Sequence, residues 1–136
     1  MAFVQENWLL ILVFVLSGAM LAWQFVAPRF SAVKNVNTVQ ATQLINRQNA
    51  LLLDVREPKE FEGGRLPAAL HIPLSQLAGR AAELAKYATR PVIAYCESGR
   101  RSRMAGGTLS KAGFKEVYSL EGGLAAWKKD GLPVEK

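Results

Sequence analysis

Two short apolar runs constrain the fold of this chain more than any other feature. Residues 50–55 read ALLLDV, and residues 91–95 read PVIAY. Continuous apolar runs of this length are typical of central strands in a parallel sheet that is covered on both faces. Residues 74–87 lie between the two runs and carry apolar side chains three and four positions apart, which is helical spacing. This alternation of strand and helix patterns predicts an α/β domain.

The same patterns predict the other elements of the domain. Further strands are expected at 36–39, 70–72 and 117–120, and further helices at 40–48, 101–112 and 124–129, with one helical turn at 58–61. Together they make a central, mostly parallel, five-stranded sheet with helices on both faces. This domain is expected to occupy residues 36–136.

The N-terminal segment has a different composition. Residues 8–26 carry no charge, and their clearly polar members are Ser17 and Gln24. About 20 apolar residues suffice for a helix to cross the hydrocarbon core, and tryptophans near both ends suit its interfaces. The segment therefore predicts a transmembrane helix at 8–26, after a short tail at 1–7 and before a juxtamembrane linker at 27–35. A cleaved signal peptide and a buried core helix are the alternatives, but no Lys or Arg precedes the run and no polar stripe marks it.

Charges on the two sides of this segment predict its orientation. No Lys or Arg precedes it, whereas Arg29, Lys34 and Arg47 follow it. The positive-inside rule then places the C-terminal side in the cytoplasm. We therefore expect a single-pass protein of the inner membrane that contacts the lipid bilayer through residues 8–26. Its folded domain is expected in the cytoplasm, where a membrane-protein partner is a further expectation. A single cysteine forms no internal disulfide and suits a reducing compartment.

Composition argues against two other classes of function. The net charge is +6, which can indicate nucleic-acid binding, but the basic residues are scattered apart from Arg100, Arg101 and Arg103. No nucleic-acid partner is therefore predicted. Zinc sites draw their ligands from several His and Cys residues, and this chain has one of each, His71 and Cys96. No metal and no cofactor are predicted.

The segment CESGRRS, residues 96–102, is the candidate site. It joins the PVIAY strand to a helix, at the end of a parallel sheet where ligands gather. Converging backbone N–H groups, the helix N-terminus, and the charges of Arg100 and Arg101 all favour a thiolate at Cys96. Gly99 supplies backbone freedom for the turn, and Glu97, whose charge opposes the thiolate, is expected to point outward. A buried and inert cysteine is the alternative interpretation.

This loop resembles the active-site loop of the rhodanese family. Two further stretches match that family in the same order, LLLDVREPKEFEGGRLPAALHIPLSQL before the loop and AGFKEVYSLEGGLAAWKKDGLPVEK after it. The resemblance covers residues 36–136. Arg65 stands where the family commonly has histidine, and Ala68 where it commonly has glycine. These departures put the conformation of the first loop in doubt.

The resemblance implies a sulfurtransferase that works through a persulfide. Cys96 would take the outer sulfur of an anionic donor such as thiosulfate and pass it to a thiophilic acceptor, cyanide or a thiol. The residues implied to cradle the persulfide and hold the donor are Glu97, Ser98, Gly99, Arg100, Arg101 and Ser102. Asp54 and Arg56 end the other apolar strand and are expected to support the pocket, with a plain strand-end salt bridge equally open. His71 is interpreted as structural, and Trp127 as a core or anchor residue.

Two rival functions remain. Cysteine phosphatases use a similar thiolate loop, but they space cysteine and arginine one residue further apart than Cys96 and Arg101. The shorter loop favours a sulfur atom over a phosphoryl group with its three equatorial oxygens. The second rival is a membrane-tethered docking or sulfur-carrier module with little turnover of its own.

Overall fold

The computed structural model describes residues 2–26 and 33–136. These form two compact units, an N-terminal pair of helices and an α/β domain. The first unit contains α1 (Ala2–Glu6) and α2 (Trp8–Val26). The bounds of α2 are those predicted for the apolar helix, whereas α1 lies within the segment predicted as a tail.

The predicted membrane span is not supported by α2. Among residues 2–26 and 33–136, no helix combines the length and the apolar character that crossing a bilayer requires. With 19 residues, α2 extends about 28 Å at 1.5 Å per residue, slightly less than a hydrocarbon core of roughly 30 Å. The prediction of a single-pass inner-membrane protein with lipid contacts through residues 8–26 is therefore wrong, and the cytoplasmic placement that rested on this span falls with it.

The predicted linker, 27–35, is divided by the structure. Residues 27–32 lie outside the described residues. Residues 33–35 belong to the first strand of the sheet, β1 (Val33–Val36). The α/β domain therefore includes residues that the sequence analysis assigned to the linker.

The α/β domain alternates strands and helices from β1 onward. Its elements after β1 are α3 (Thr38–Gln48), β2 (Leu51–Asp54), α4 (Pro58–Glu62), β3 (Leu70–His71), α5 (Leu74–Arg80), a 3-10 helix (Ala81–Tyr87), β4 (Val92–Tyr95), α6 (Arg100–Lys111), β5 (Val117–Leu120) and α7 (Gly123–Lys129). The strands form one five-stranded sheet in the order β1-β5-β4-β2-β3, and all neighbouring pairs are parallel. The predicted α/β architecture is confirmed.

The first strand ends earlier than its sequence suggested. Asn37 caps α3, because its side chain accepts the N–H of Gln40 at 2.8 Å while the Gln40 side chain accepts the N–H of Asn37 at 3.0 Å. This reciprocal capping box starts the helix at Thr38. Val39, expected in a strand, therefore lies exposed on the helix.

Alternate strand residues build a separate core on each face of the sheet. Val92, Ala94 and Cys96 point to the face that α5 and α6 cover, whereas Ile93 and Tyr95 point to the opposite face, which α3 and α7 cover. This period of two is the ordinary geometry of a strand. It places Cys96, directly after β4, against the N-terminal part of α6.

Candidate active site

The carboxyl ends of β2 and β4 lie side by side. Asp54 at the end of β2 is the register partner of Tyr95 at the end of β4. The loops that follow, beginning at Val55 and Cys96, therefore leave the same edge of the sheet, where ligands of open α/β sheets gather. The predicted nucleophile and the predicted supporting pair are thus neighbours.

The Cys96 loop wraps closely around the sulfur atom. The N–H of Gly99 donates to Cys96 Sγ at 3.0 Å, and Ser102 Oγ lies 3.8 Å from the same sulfur. Gly99 has a φ of 104°, a region that favours glycine. Cys96 as a whole is 1% exposed. The sulfur is therefore held in a nearly enclosed cradle of donors.

The pKa of the Cys96 thiol is set by two opposing effects. Burial raises it, whereas hydrogen bonds from the backbone N–H groups of Ser102, Gly99 and Ser98, together with the Ser102 hydroxyl, lower it. The hydrogen bonds prevail, so the pKa lies below the ordinary value of a cysteine. Hydrogen bonds to the charged form of a group favour that form, and the loop thereby favours the thiolate.

A second serine, which the sequence analysis missed, supports the loop from β5. Ser119 Oγ lies 2.7 Å from Ser102 Oγ, and Ser102 Oγ also lies 3.0 Å from the carbonyl oxygen of Gly99. Both serines are buried. The sequence did contain a signal for Ser119. It lies two residues after Val117 and therefore on the same face of β5, where a polar residue is unexpected in a core that packs against α6.

Asp54 and Arg56 form a buried ion pair. The Arg56 guanidinium donates from Nε and Nη2 to the Asp54 carboxylate, with the shortest distance 2.7 Å from Nη2 to Oδ2, and the side chains are 2% and 0% exposed. Arg56 also donates to the carbonyl oxygen of Gly64. Its Nη1 lies 3.3 Å from Glu97 Oε2. The pair therefore links the end of β2 to the Cys96 loop.

Glu97 does not simply point into solvent, as its charge suggested it would. Its side chain is 49% exposed and its carboxylate contacts Arg56. Arg56 lies between the carboxylates of Asp54 and Glu97 and places a positive charge next to the negative charge that follows Cys96.

The two arginines predicted to hold the donor differ in their surroundings. Arg100 is exposed at the start of α6. Arg101 is clamped by Glu60, with Nη1 to Oε1 at 2.7 Å and Nη2 to Oε2 at 2.9 Å. Hydrogen bonding from Arg101 lowers the pKa of Glu60 to about 2. Glu60, on α4, was not among the predicted site residues.

The remaining residues singled out from the sequence have structural contacts. His71 Nε2 lies 2.7 Å from the carbonyl oxygen of Arg56, and its ring stacks on Phe61 at 4.3 Å. Trp127 is buried and its Nε1–H donates to the carbonyl oxygen of Pro133 at 2.8 Å. Within residues 2–26 and 33–136, no group of three or more His, Cys, Asp or Glu side chains is arranged to hold a metal ion.

The two family departures in the first loop are accommodated locally. Ala68 takes a φ of 60°, a left-handed conformation that glycine adopts without strain and alanine does not. The Arg65 guanidinium lies 4.4 Å from the centroid of the Phe61 ring. Both residues stand apart from the contacts to Cys96 described above.

The N-terminus of α7 braces the back of the Cys96 loop. The N–H of Leu124 donates to the carbonyl oxygen of Cys96 at 2.8 Å, and that of Ala125 to the carbonyl oxygen of Glu97 at 3.2 Å. Gly123 allows this approach, because a Cβ there would lie 2.2 Å from the carbonyl oxygen of Cys96. The second glycine of the closing segment is therefore required by backbone packing against the site.

Comparisons with known proteins agree with this geometry. The model of the rhodanese-like domain matches residues 37–130. A sulfurtransferase of Allochromatium vinosum is 37% identical over 103 residues, 73% of this chain and 94% of that protein. The uncharacterized protein YqhL of Bacillus subtilis is 48% identical over 80 residues, 59% of this chain, and the match spans 62% of YqhL.

A solved structure shares the fold. The crystal structure of a rhodanese-related protein from Thermoplasma volcanium aligns with a TM-score of 0.68 at 29% identity, covering 75% of this chain and 97% of the other. The match of the family model extends from the start of α3 to the end of α7 and includes β2 to β5 and the Cys96 loop. This chain belongs to the rhodanese-like domain family.

Proposed function

We propose that this protein is a sulfurtransferase that moves sulfane sulfur from an anionic donor such as thiosulfate to a thiol or cyanide through a persulfide on Cys96. The observation that carries the proposal is the cradle of donors around Sγ, with the Gly99 N–H at 3.0 Å. Because these hydrogen bonds lower the pKa of Cys96, they raise the fraction of nucleophilic thiolate without a general base. The sulfurtransferase among its relatives supports the same class of reaction.

The reaction proceeds in two half-steps. The Cys96 thiolate attacks the outer sulfur of thiosulfate, the new bond joins Sγ to that sulfur, and the S–S bond of the donor breaks with its electron pair leaving on sulfite. An acceptor thiolate or cyanide then attacks the outer sulfur of the persulfide and regenerates the Cys96 thiolate. Because the sulfur is carried covalently between two substrates, ping-pong kinetics are expected.

Each loop residue has a role in this scheme. The amides of Ser98, Gly99 and Ser102 and the Ser102 hydroxyl stabilise the negative sulfur before and after loading. Exposed Arg100 attracts the anionic donor to the loop. Asp54 and Arg56 act by positioning, because Arg56 holds Glu97 beside the nucleophile.

The enclosure of Sγ favours sulfur chemistry over phosphoryl transfer. A donor presents a terminal sulfur atom at its end, whereas phosphorus is shielded by three oxygens. Cys96 is 1% exposed, which suits attack on a terminal sulfur atom better than attack on a phosphorus atom surrounded by oxygens. A phosphatase with this loop would need a wider opening above the sulfur.

The second candidate is a sulfur carrier with little turnover of its own. The specific observation in its favour is that Arg101, expected to hold the donor, is engaged by Glu60. A carrier would load one sulfur atom and release it to one partner, without repeated turnover on free thiosulfate. Steady-state release of sulfite with a small thiol acceptor separates the two candidates.

Mass spectrometry of the intact protein tests the proposal. After incubation with thiosulfate, the chain should gain the mass of one sulfur atom, and a thiol reductant should remove it. Cys96→Ser is the matched control and should gain nothing. If several donors leave wild-type protein unmodified, the proposed function is rejected.

A further inference from the structure

The ion pair between Glu60 and Arg101 lies next to the Cys96 loop, because Arg101 is in the first turn of α6, which follows that loop directly. Both donor nitrogens of the guanidinium fork face one carboxylate, at 2.7 and 2.9 Å, and each side chain is 33% exposed. A bidentate pair of this kind uses the geometry with which arginine binds small oxyanions. Arg101 therefore already holds an anion supplied by its own chain.

The carboxylate is held in place independently of Arg101. Glu60 Oε1 also accepts the backbone N–H of Glu57 at 3.1 Å, as part of a capping box at the start of α4. Its pKa of about 2 keeps it charged across the whole working range of pH. An incoming anion must compete with a preorganised and permanently charged partner.

The other two arginines near the loop determine how much positive charge remains for an incoming anion. Arg56 is compensated by Asp54 and contacts Glu97. Within residues 2–26 and 33–136, the ion pairs do not include Arg100. Of these three arginines, Arg100 alone offers a guanidinium that is not already matched to a carboxylate. The loop thus presents less positive charge to a donor than its sequence suggests.

We propose that Glu60 is a specificity-determining residue, whose carboxylate occupies Arg101 and so selects against dianionic sulfur donors in favour of donors of lower charge. The inference rests on the proposed function and concerns the donor class of the same site. Thiosulfate is a dianion, whereas methanethiosulfonate is a monoanion of similar size. The thiolate attacks the terminal sulfur of either one. The leaving group, sulfite or methanesulfinate, departs with the electron pair of the broken S–S bond.

Glu60→Gln isolates the charge. Glutamine keeps a side-chain oxygen for the Glu57 N–H, since Gln is as suitable as Glu at this position of a capping box, and it removes the negative charge next to Arg101. Glu62→Gln, at the exposed end of the same helix, is the matched control. Glu60→Ala is a second variant that removes the charge and the cap together.

The first readout needs no sulfur transfer. Iodoacetate and iodoacetamide differ by one charge, and both alkylate thiolates, of which Cys96 is the sole source in this chain. Their rate ratio cancels any change in the thiolate fraction. In Glu60→Gln and Glu60→Ala the ratio of iodoacetate to iodoacetamide should rise by about 3- to 10-fold at low ionic strength, and high salt should shrink the change. Glu62→Gln should keep the wild-type ratio.

The second readout uses the two donors. In Glu60→Gln the KM for thiosulfate should fall severalfold with little change in kcat, whereas the KM for methanethiosulfonate, which carries half the charge, should fall by a smaller factor. An unchanged alkylation ratio in both Glu60 variants overturns the inference, even if wild-type protein transfers sulfur. If wild-type protein loads no sulfur from any donor, the proposed function fails, while the alkylation ratio still decides whether Glu60 sets the charge preference of the site.

Discussion

The loops after β2 and β4 leave the same edge of the sheet but stabilise charge in different ways. After β2, the carboxylate of Asp54 and the guanidinium of Arg56 neutralise each other in a buried pair. After β4, the sulfur of Cys96 is stabilised by amide and hydroxyl dipoles that carry no net charge. The comparison shows that opposite full charges hold the first loop in place, whereas hydrogen bonds from backbone and hydroxyl dipoles lower the pKa of the nucleophile in the second loop.

The two loops are also joined physically. Arg56 reaches across from the first loop to Glu97 in the second, at 3.3 Å. The rigid pair therefore fixes the residue that follows the nucleophile. Damage to the first loop should appear as lost stability, and damage to the second as altered reactivity.

The largest effect is expected at Asp54. Asp54→Ala leaves Arg56 buried without its carboxylate, and breaking a buried pair from one side costs about 3–5 kcal/mol of unfolding free energy. Urea denaturation followed by circular dichroism measures it. Glu83→Gln, which breaks the exposed pair with Arg80, is the control and should leave the midpoint almost unchanged. Equal midpoints for the two variants would show that the first loop does not depend on its charges.

A smaller loss of unfolding free energy is expected at Gly123, where α7 packs against the second loop. Gly123→Ala places a Cβ 2.2 Å from the carbonyl oxygen of Cys96, at a residue with a φ of 56°. We expect a cost of about 1–3 kcal/mol from strain and overpacking, together with slower persulfide formation. Gly79→Ala meets nothing within 4 Å and should be neutral or slightly stabilising. Normal loading in a stable Gly123→Ala protein would contradict the bracing role.

The smallest effect is a shift in reactivity without a loss of fold. Ser102→Ala removes the hydroxyl that lowers the pKa of Cys96 but keeps the backbone N–H. The pKa should rise, so the midpoint of alkylation against pH moves upward and the rate at pH 7 falls. Ser119 acts on Cys96 through Ser102, so Ser119→Ala should shift the midpoint of alkylation less. A downward shift in either variant would refute the dipole explanation.

The sequence predicted those features that depend on neighbours along the chain. β2 and β4 were predictable because buried parallel strands need continuous apolar residues, and the Cys96 loop was predictable because its residues are contiguous. β1 was placed three residues late, since the apolar residues on both sides of Asn37 concealed a helix cap. The helix at 8–26 had the correct bounds, but the absence of charge did not by itself make it a membrane span.

Contacts between residues that are far apart in the sequence could not be predicted from local patterns. Glu60 and Arg101 are 41 positions apart, as are Arg56 and Glu97. Nothing in their local sequence indicates that the fold brings each pair together. Ser119 meets Ser102 for the same reason, because the connection through α6 brings β5 next to β4. The electrostatics of the site are therefore a property of the fold.

The pH dependence of Cys96 alkylation by iodoacetamide tests the dipole stabilisation most directly. The chain contains one cysteine, so the same thiol can be titrated in folded protein and in denaturant. We predict a midpoint in the folded protein clearly below that of the unfolded chain, which should lie near the ordinary value of about 8.5. A folded midpoint at or above the unfolded one would contradict a thiolate held by the loop.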